Sequence, residues 1–169
     1  MKWLLLILFL LIVLNLTHLF YFNIYTHSLP TGIYMRVKGI PKIGEYASTC
    51  LTPKIAKYGI SRGYLEEGNC NSGAVHVLKI IKGLQGDHFF VKNGLLFLNG
   101  HSYRIMENDS YGRKLKIFYK SKEEIIDKNH YMLLSDFVQN SWDSRYFGPV
   151  TIQFLLKPLW IFEHSNKTL

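Results

Sequence analysis

Two cysteines and 12 acidic residues are few for a chain of 169, and each scarcity narrows what this protein is. Cys50 and Cys70 are the only thiols, and no second close pair of ligands stands ready to complete a zinc site with them. They bracket a stretch rich in Gly, Lys and polar residues. In an oxidising compartment they would close a loop of about 20 residues, stabilising the fold by roughly 3 kcal/mol; otherwise they are two unrelated buried thiols. The acids are outnumbered by 20 Lys and Arg, for a formal net charge of +8. Yet the basic residues are scattered, with no aromatic-interleaved basic run and no recognition-helix pattern, so the charge does not mark a nucleic-acid-binding protein. A basic surface beside an anionic bilayer accounts for it equally well. There is no heptad, internal repeat or low-complexity segment, so coiled-coil and repeat architectures are excluded.

Small residues are missing at another informative place. Trp3 to Phe22 is almost unbroken apolar sequence, interrupted only by Asn15, Thr17 and His18. That is about the 20 residues a helix needs to cross a bilayer. A cleaved signal peptide would need small residues after a shorter apolar centre. Phe20, Tyr21 and Phe22 stand there instead, and aromatics suit the membrane–water interface. Residues 1–22 therefore read as a retained transmembrane anchor, followed by one domain over residues 23–169. Lys2 precedes the run, whereas Arg36, Lys38 and Lys42 follow it, so charge bias alone does not orient the chain. The cysteine pair favours the oxidising side.

The rest reads as mainly β, an antiparallel domain with irregular loops. Val75 to Ile81 is a β-branched apolar run expected to form a buried strand, and Asn93-Gly94 and Asn99-Gly100 are strong hairpin signals. Residues 93–129 would form a peripheral extension, with a short helical turn within Lys120 to Lys128. A short helix is expected near Lys54 to Tyr58, a strand over Tyr131 to Leu134 and a last strand over Val150 to Phe154.

Three segments carry groups able to do chemistry. Ser28 lies in Thr26-His27-Ser28-Leu29-Pro30-Thr31-Gly32-Ile33-Tyr34, a Pro- and Gly-constrained stretch where a lone Ser is ordinarily a turn residue. Lys79 lies in the apolar run, its side chain alternating to the face of Val77 and Ile81. Burial there would lower its pKa and make it a base near neutrality, unless it snorkels from an edge strand. Lys82, beside Gly83 at the strand end, can reach water. Asp143 and Arg145, two apart, would pair in a tight turn, as ordinary surface ion pairs also do. A Ser-His-Asp triad is disfavoured. His27 adjoins Ser28 and would point to the opposite face, and His76, His88 and His101 lie in no motif.

Taken together, the three segments resemble the bacterial type I signal peptidases, and more closely the TraF-type pilin-processing peptidases of conjugation systems. Ser28 to Tyr34 is similar to the subgroup's Ser-x-Pro-x-Gly-(Ile/Leu)-Tyr motif. Lys79, Gly83, Gly86 and Asp87 resemble its general-base motif, and Ser141 to Val150 its last box. Arg62-Gly63-Tyr64-Leu65 and Gly68-x-Cys70 are also similar to the TraF subgroup, which includes a cysteine pair. The likeness runs from the anchor to about Pro158. Gln85 departs from the Pro usual in the wider family, and Ser135-Asp136-Phe137 replaces its Gly-Asp-Asn, which bears on how the Lys79 amine is oriented.

The resemblance implies a Ser–Lys dyad, with Ser28 as nucleophile and Lys79 as its base. Ser141 would orient Lys79. The Ser28 amide and the Thr26 hydroxyl would form the oxyanion hole, and Asp143 and Arg145 would support the site. It implies no metal and no cofactor. It also implies an inner-membrane, single-pass enzyme with its catalytic domain on the periplasmic side. Its substrate would be a membrane-tethered pilin precursor, matured and in some relatives circularised, with other conjugation-apparatus proteins as further partners and no nucleic acid. The competing reading is a non-catalytic bitopic component of a conjugation or secretion apparatus.

Overall fold

The computed structural model describes residues 19–24, 26–119 and 123–163, together with Trp3. Two antiparallel sheets account for most of it, as the mainly β reading expects. The larger has six strands: β1 (Phe20–Asn23), β2 (Thr31–Val37), β3 (Tyr46–Thr49), β4 (Val77–Gly83), β9 (Met132–Leu134) and β10 (Phe154–Glu163), in the order β1-β2-β10-β3-β4-β9. The smaller has four: β5 (His88–Lys92), β6 (Leu95–Leu98), β7 (His101–Arg104) and β8 (Glu124–Ile125), in the order β7-β6-β5-β8. Helix α1 (Pro53–Arg62) and a single turn, α2 (Ser144–Phe147), complete the elements.

The anchor read over residues 1–22 lies mostly outside the described residues. Its last part is described and differs from the expectation: Phe20 to Phe22 belong to β1, paired with β2, and are not the end of a helix. Among the described residues, no helix is long and apolar enough to cross a membrane.

Both Asn-Gly pairs form hairpin turns. Asn93 and Gly94 have φ of 53° and 72°, and Asn99 and Gly100 have 51° and 75°. Positive φ at both central residues is what a two-residue turn needs to match the strand twist. The smaller sheet packs Phe89, Leu96 and Leu98 against Ile126, Met132 and Leu134, so β9 joins it to the larger one. The helical turn expected within Lys120 to Lys128 is not formed by its described part. Glu124 and Ile125 instead pair with Phe89 and His88 as an edge strand.

Helix α1 is longer than expected. Pro53 starts it with φ preset and no amide left orphaned, and Gly63 ends it in the left-handed region at φ 72°. The expected strand over Val150 to Phe154 is corrected. Val150 makes only an isolated bridge to Tyr131, and the strand begins at Phe154 and continues to Glu163. Pro158 does not end it because a register shift between Pro158 and Trp160 absorbs the missing donor. Beside that shift β2 and β10 come so close that a side chain at Gly32 would run into the Trp160 carbonyl.

Strand β4 is buried on both faces, which decides the fate of Lys79. Val77 and Ile81 enter the cluster formed by Ala47, Leu133, Trp142 and Leu155. Leu78 and Ile80 enter the opposite cluster with Leu29, Tyr34 and Leu156. A lysine between them has no edge from which to snorkel.

Candidate active site

Strand β4, bonded to β3 on one side and β9 on the other, carries Lys79 at 4 % exposure. Ser28 arrives from the connection between β1 and β2. Leu29, the next residue, is buried against Leu78 and Ile80 and draws that connection onto β4. The result is a direct hydrogen bond between Lys79 Nζ and Ser28 Oγ, across 51 residues of sequence. Burial lowers the Lys79 pKa from the ordinary 10.5 to about 8; Asp143 pulls it up against this, and Arg145 pushes it further down. Its neutral form is therefore a minority at neutrality and reaches half near pH 8, within the range a base requires.

The pair lies in a groove of about 400 Å³ whose walls include Thr26, Leu65, Glu66, His76 and Trp142. Thr26 is at the rim, and its hydroxyl donates to Asn23 Oδ1 at 2.7 Å. Ser141 does not make the bond to Lys79 that the resemblance implies. Its Oγ is buried without a hydrogen-bond partner. The Ser141 carbonyl is instead held by Arg145 Nη2 at 3.0 Å, which commits the residue's backbone to a different task.

Asp143 and Arg145 form no surface pair. Both are buried, and the guanidinium grips the carboxylate through two bonds, Nε to Oδ1 and Nη2 to Oδ2, each 2.8 Å. Its other hydrogens go to the carbonyls of Arg104, Gln139 and Ser141. A buried pair with its remaining donors satisfied is the arrangement in which desolvation is best offset. Asp143 also caps α2 by accepting from the Arg145 amide, and its Oδ2 accepts from the Ser135 amide at 3.2 Å.

Through Ser135 this network reaches Ser28. Ser135 Oγ donates to the Ser28 carbonyl at 2.9 Å. Sequence reading registered Ser135 only as a departure from Gly, and here the departure supplies a hydroxyl that fixes the residue beside Lys79. Asn23 was passed over altogether, although a lone amide in Phe-Tyr-Phe-Asn-Ile-Tyr is a visible interruption of an apolar stretch. Lys82 reaches outward to Asp136 at 2.5 Å and takes no part in the site.

Cys50 and Cys70 are joined in a disulfide with Cα atoms 5.6 Å apart. His76 lies beside it, 3.5 Å from Cys50 Sγ, with Nδ1 2.9 Å from Ser48 Oγ. The two sulfurs and the ring fall within 4.8 Å of one another, but bonded sulfurs are not thiolates and cannot serve as metal ligands of that kind.

The family model described as signal peptidase, peptidase S26, matches residues 1–156. A plasmid transfer protein TraF of Escherichia coli is 29% identical over 131 residues, 74% of this chain and 72% of that one. A second from the same species is 27% identical over 142 residues, covering 79% of each. A conjugal transfer protein TraF of Agrobacterium tumefaciens (strain 15955) is 28% identical over 145 residues, 81% of this chain and 80% of its own. With the family model covering nearly the whole chain, the protein belongs to the signal peptidase family, peptidase S26, as a TraF-type relative of the type I signal peptidases.

Proposed function

We propose that this protein is a serine endopeptidase with a Ser28–Lys79 dyad, maturing a membrane-tethered precursor, a pilin subunit, for conjugation. The observation that carries this reading is the contact itself: a buried amine, with its pKa lowered to about 8, bonded to a hydroxyl in a groove. In the reaction, neutral Lys79 takes the Ser28 proton while Ser28 Oγ bonds to the scissile carbonyl carbon. The ammonium then protonates the leaving amine as the C–N bond breaks, leaving an ester on Ser28. Water or a second amine attacks the ester, its proton going to Lys79; the ester C–O bond then breaks as Lys79 returns that proton to Ser28 Oγ, and the product is linear or cyclic accordingly. The Ser28 amide and the Thr26 hydroxyl stabilise the oxyanion, with about 3 kcal/mol expected per donor. To do so the Thr26 hydroxyl exchanges Asn23 for substrate.

A bilayer position is supported by the exposed aromatic face that continues from the apolar run. Phe22 and Trp160 are both register partners of Ile33, so they stand in one row across β1, β2 and β10, and both are largely exposed. Phe162 packs beside Trp160. Such a patch marks a surface that meets another apolar phase. We place the domain on the periplasmic side of the inner membrane, where the disulfide persists.

The test is precursor processing by Ser28→Ala and Lys79→Ala variants in membranes. Both are expected to be inactive; processing at the wild-type rate by either removes the dyad and favours a non-catalytic component of the conjugation apparatus. Mass spectrometry of the product decides its form, since a circular chain is lighter than the linear one by one water.

A further inference from the structure

The connection carrying Ser28 leaves the sheet at Asn23 and returns at Gly32, and these two are register partners across β1 and β2. A connection closed this tightly turns carbonyls inward, where each needs a donor. One side chain supplies most of them. Asn23 is 2 % exposed, and its Nδ2 lies 3.1 Å from the carbonyl oxygens of Thr26, Leu29 and Pro30 alike. An amide nitrogen has two hydrogens, so the three acceptors share them. Oδ1 is also engaged, by the Thr26 hydroxyl. Backbone on both sides of Ser28 is thus tied to a single carboxamide, while Tyr34 Oη adds a bond to Pro30 and Ser135 holds the Ser28 carbonyl.

Strand β1 itself gains little from an Asn at its last position, because Asn is depleted in strands and costly to bury without partners. The connection is what uses it. We propose that Asn23 is a positioning residue of the active site: its carboxamide fixes the backbone flanking Ser28 and so keeps the Ser28 hydroxyl aligned with the Lys79 amine. This rests on the dyad reading and adds a residue that acts through Ser28 without touching substrate.

The experiment follows precursor cleavage by the full-length protein in lipid vesicles. Here kcat is referred to sites titrated by the acylation burst of a p-nitrophenyl peptide ester, so a change in folded fraction cancels. Asn23→Asp keeps the shape and the acceptor for Thr26 but has no amide hydrogens. Its kcat per titrated site is expected to fall about 100-fold, the scale of a roughly 1 Å misplacement, with KM within about twofold. Asn23→Ala is expected to behave alike, and Asn23→Asp decides alone if the alanine variant does not fold. A kcat per site within about threefold of wild type overturns the proposal, as does a loss carried by KM with kcat unchanged. Ser28→Ala in the same assay separates the two levels. If Ser28→Ala is inactive and Asn23→Asp runs at full rate, only the role of Asn23 is lost; if Ser28→Ala cleaves like wild type, both readings are lost.

Discussion

In the smaller sheet, β5, β6 and β7 follow one another through two-residue turns, and within this meander each pairing joins neighbours in the chain. At the candidate site the contacts that gather the dyad are distant: Lys79 meets a hydroxyl 51 residues upstream, and Ser135 holds a carbonyl 107 residues upstream. Local pairing orders little chain per contact formed, whereas the dyad contact and the Ser135 bond need β4, β9 and the β1–β2 connection brought together first. The meander should therefore contribute stability that the chemistry never sees. The site should lose function while the fold survives.

Four variants and one titration probe that contrast, taken from the largest effect to the smallest. Ser28→Ala is expected to slow precursor cleavage by about 10⁴-fold or more while leaving the thermal midpoint near that of wild type. Loss of the cooperative unfolding transition in this variant would contradict the separation. Arg145→Met strands the Asp143 carboxylate in the interior, so urea unfolding should show a loss of about 3–5 kcal/mol. Cys50→Ser with Cys70→Ser should cost roughly 3 kcal/mol in the same measurement, as expected for reopening a 20-residue loop.

The pH profile of kcat/KM tests the amine. In the proposed dyad Lys79 works as the neutral form, so with its pKa lowered to about 8 the rate should rise about tenfold per pH unit below 8 and level off above it. A flat profile between pH 6 and about 9 would exclude Lys79 as the base. Gly100→Ala places a side chain at φ 75° in the β6–β7 turn and should destabilise the protein by about 1–2 kcal/mol. Its cleavage rate at a temperature where it remains folded should equal wild type; a deficit there would mean that the meander and the site are coupled through β9.

How much was legible beforehand follows the same division. The Asn-Gly turns announced themselves because their backbone demands are local. The facing of Lys79 was legible from alternation along β4, since period two needs no knowledge of partners. That β4 is buried on both faces was not, because it depends on β3 and β9 lying alongside. Ser28 became a candidate only through its resemblance to a family motif, as nothing in its own neighbourhood distinguishes it from a turn serine. Asp143 and Arg145 allowed a surface-pair reading because their burial depends on distant segments, Arg104 among them. The placement of Ser141 and the part played by Ser135 depend on how β9 ends against α2, a detail of tertiary packing.

Gly32 belongs to the same short motif as Ser28, yet what demands it is the carbonyl of Trp160 on the neighbouring strand. Two kinds of constraint therefore overlap in one string of letters, one steric and one, under the proposed dyad, catalytic, and they can decay independently. A relative that had ceased to cleave anything would still need the glycine to fold, but would be free to lose the serine and the lysine. Among divergent sequences of this kind, a retained glycine certifies the sheet alone, and living chemistry must be judged from the hydroxyl and the amine.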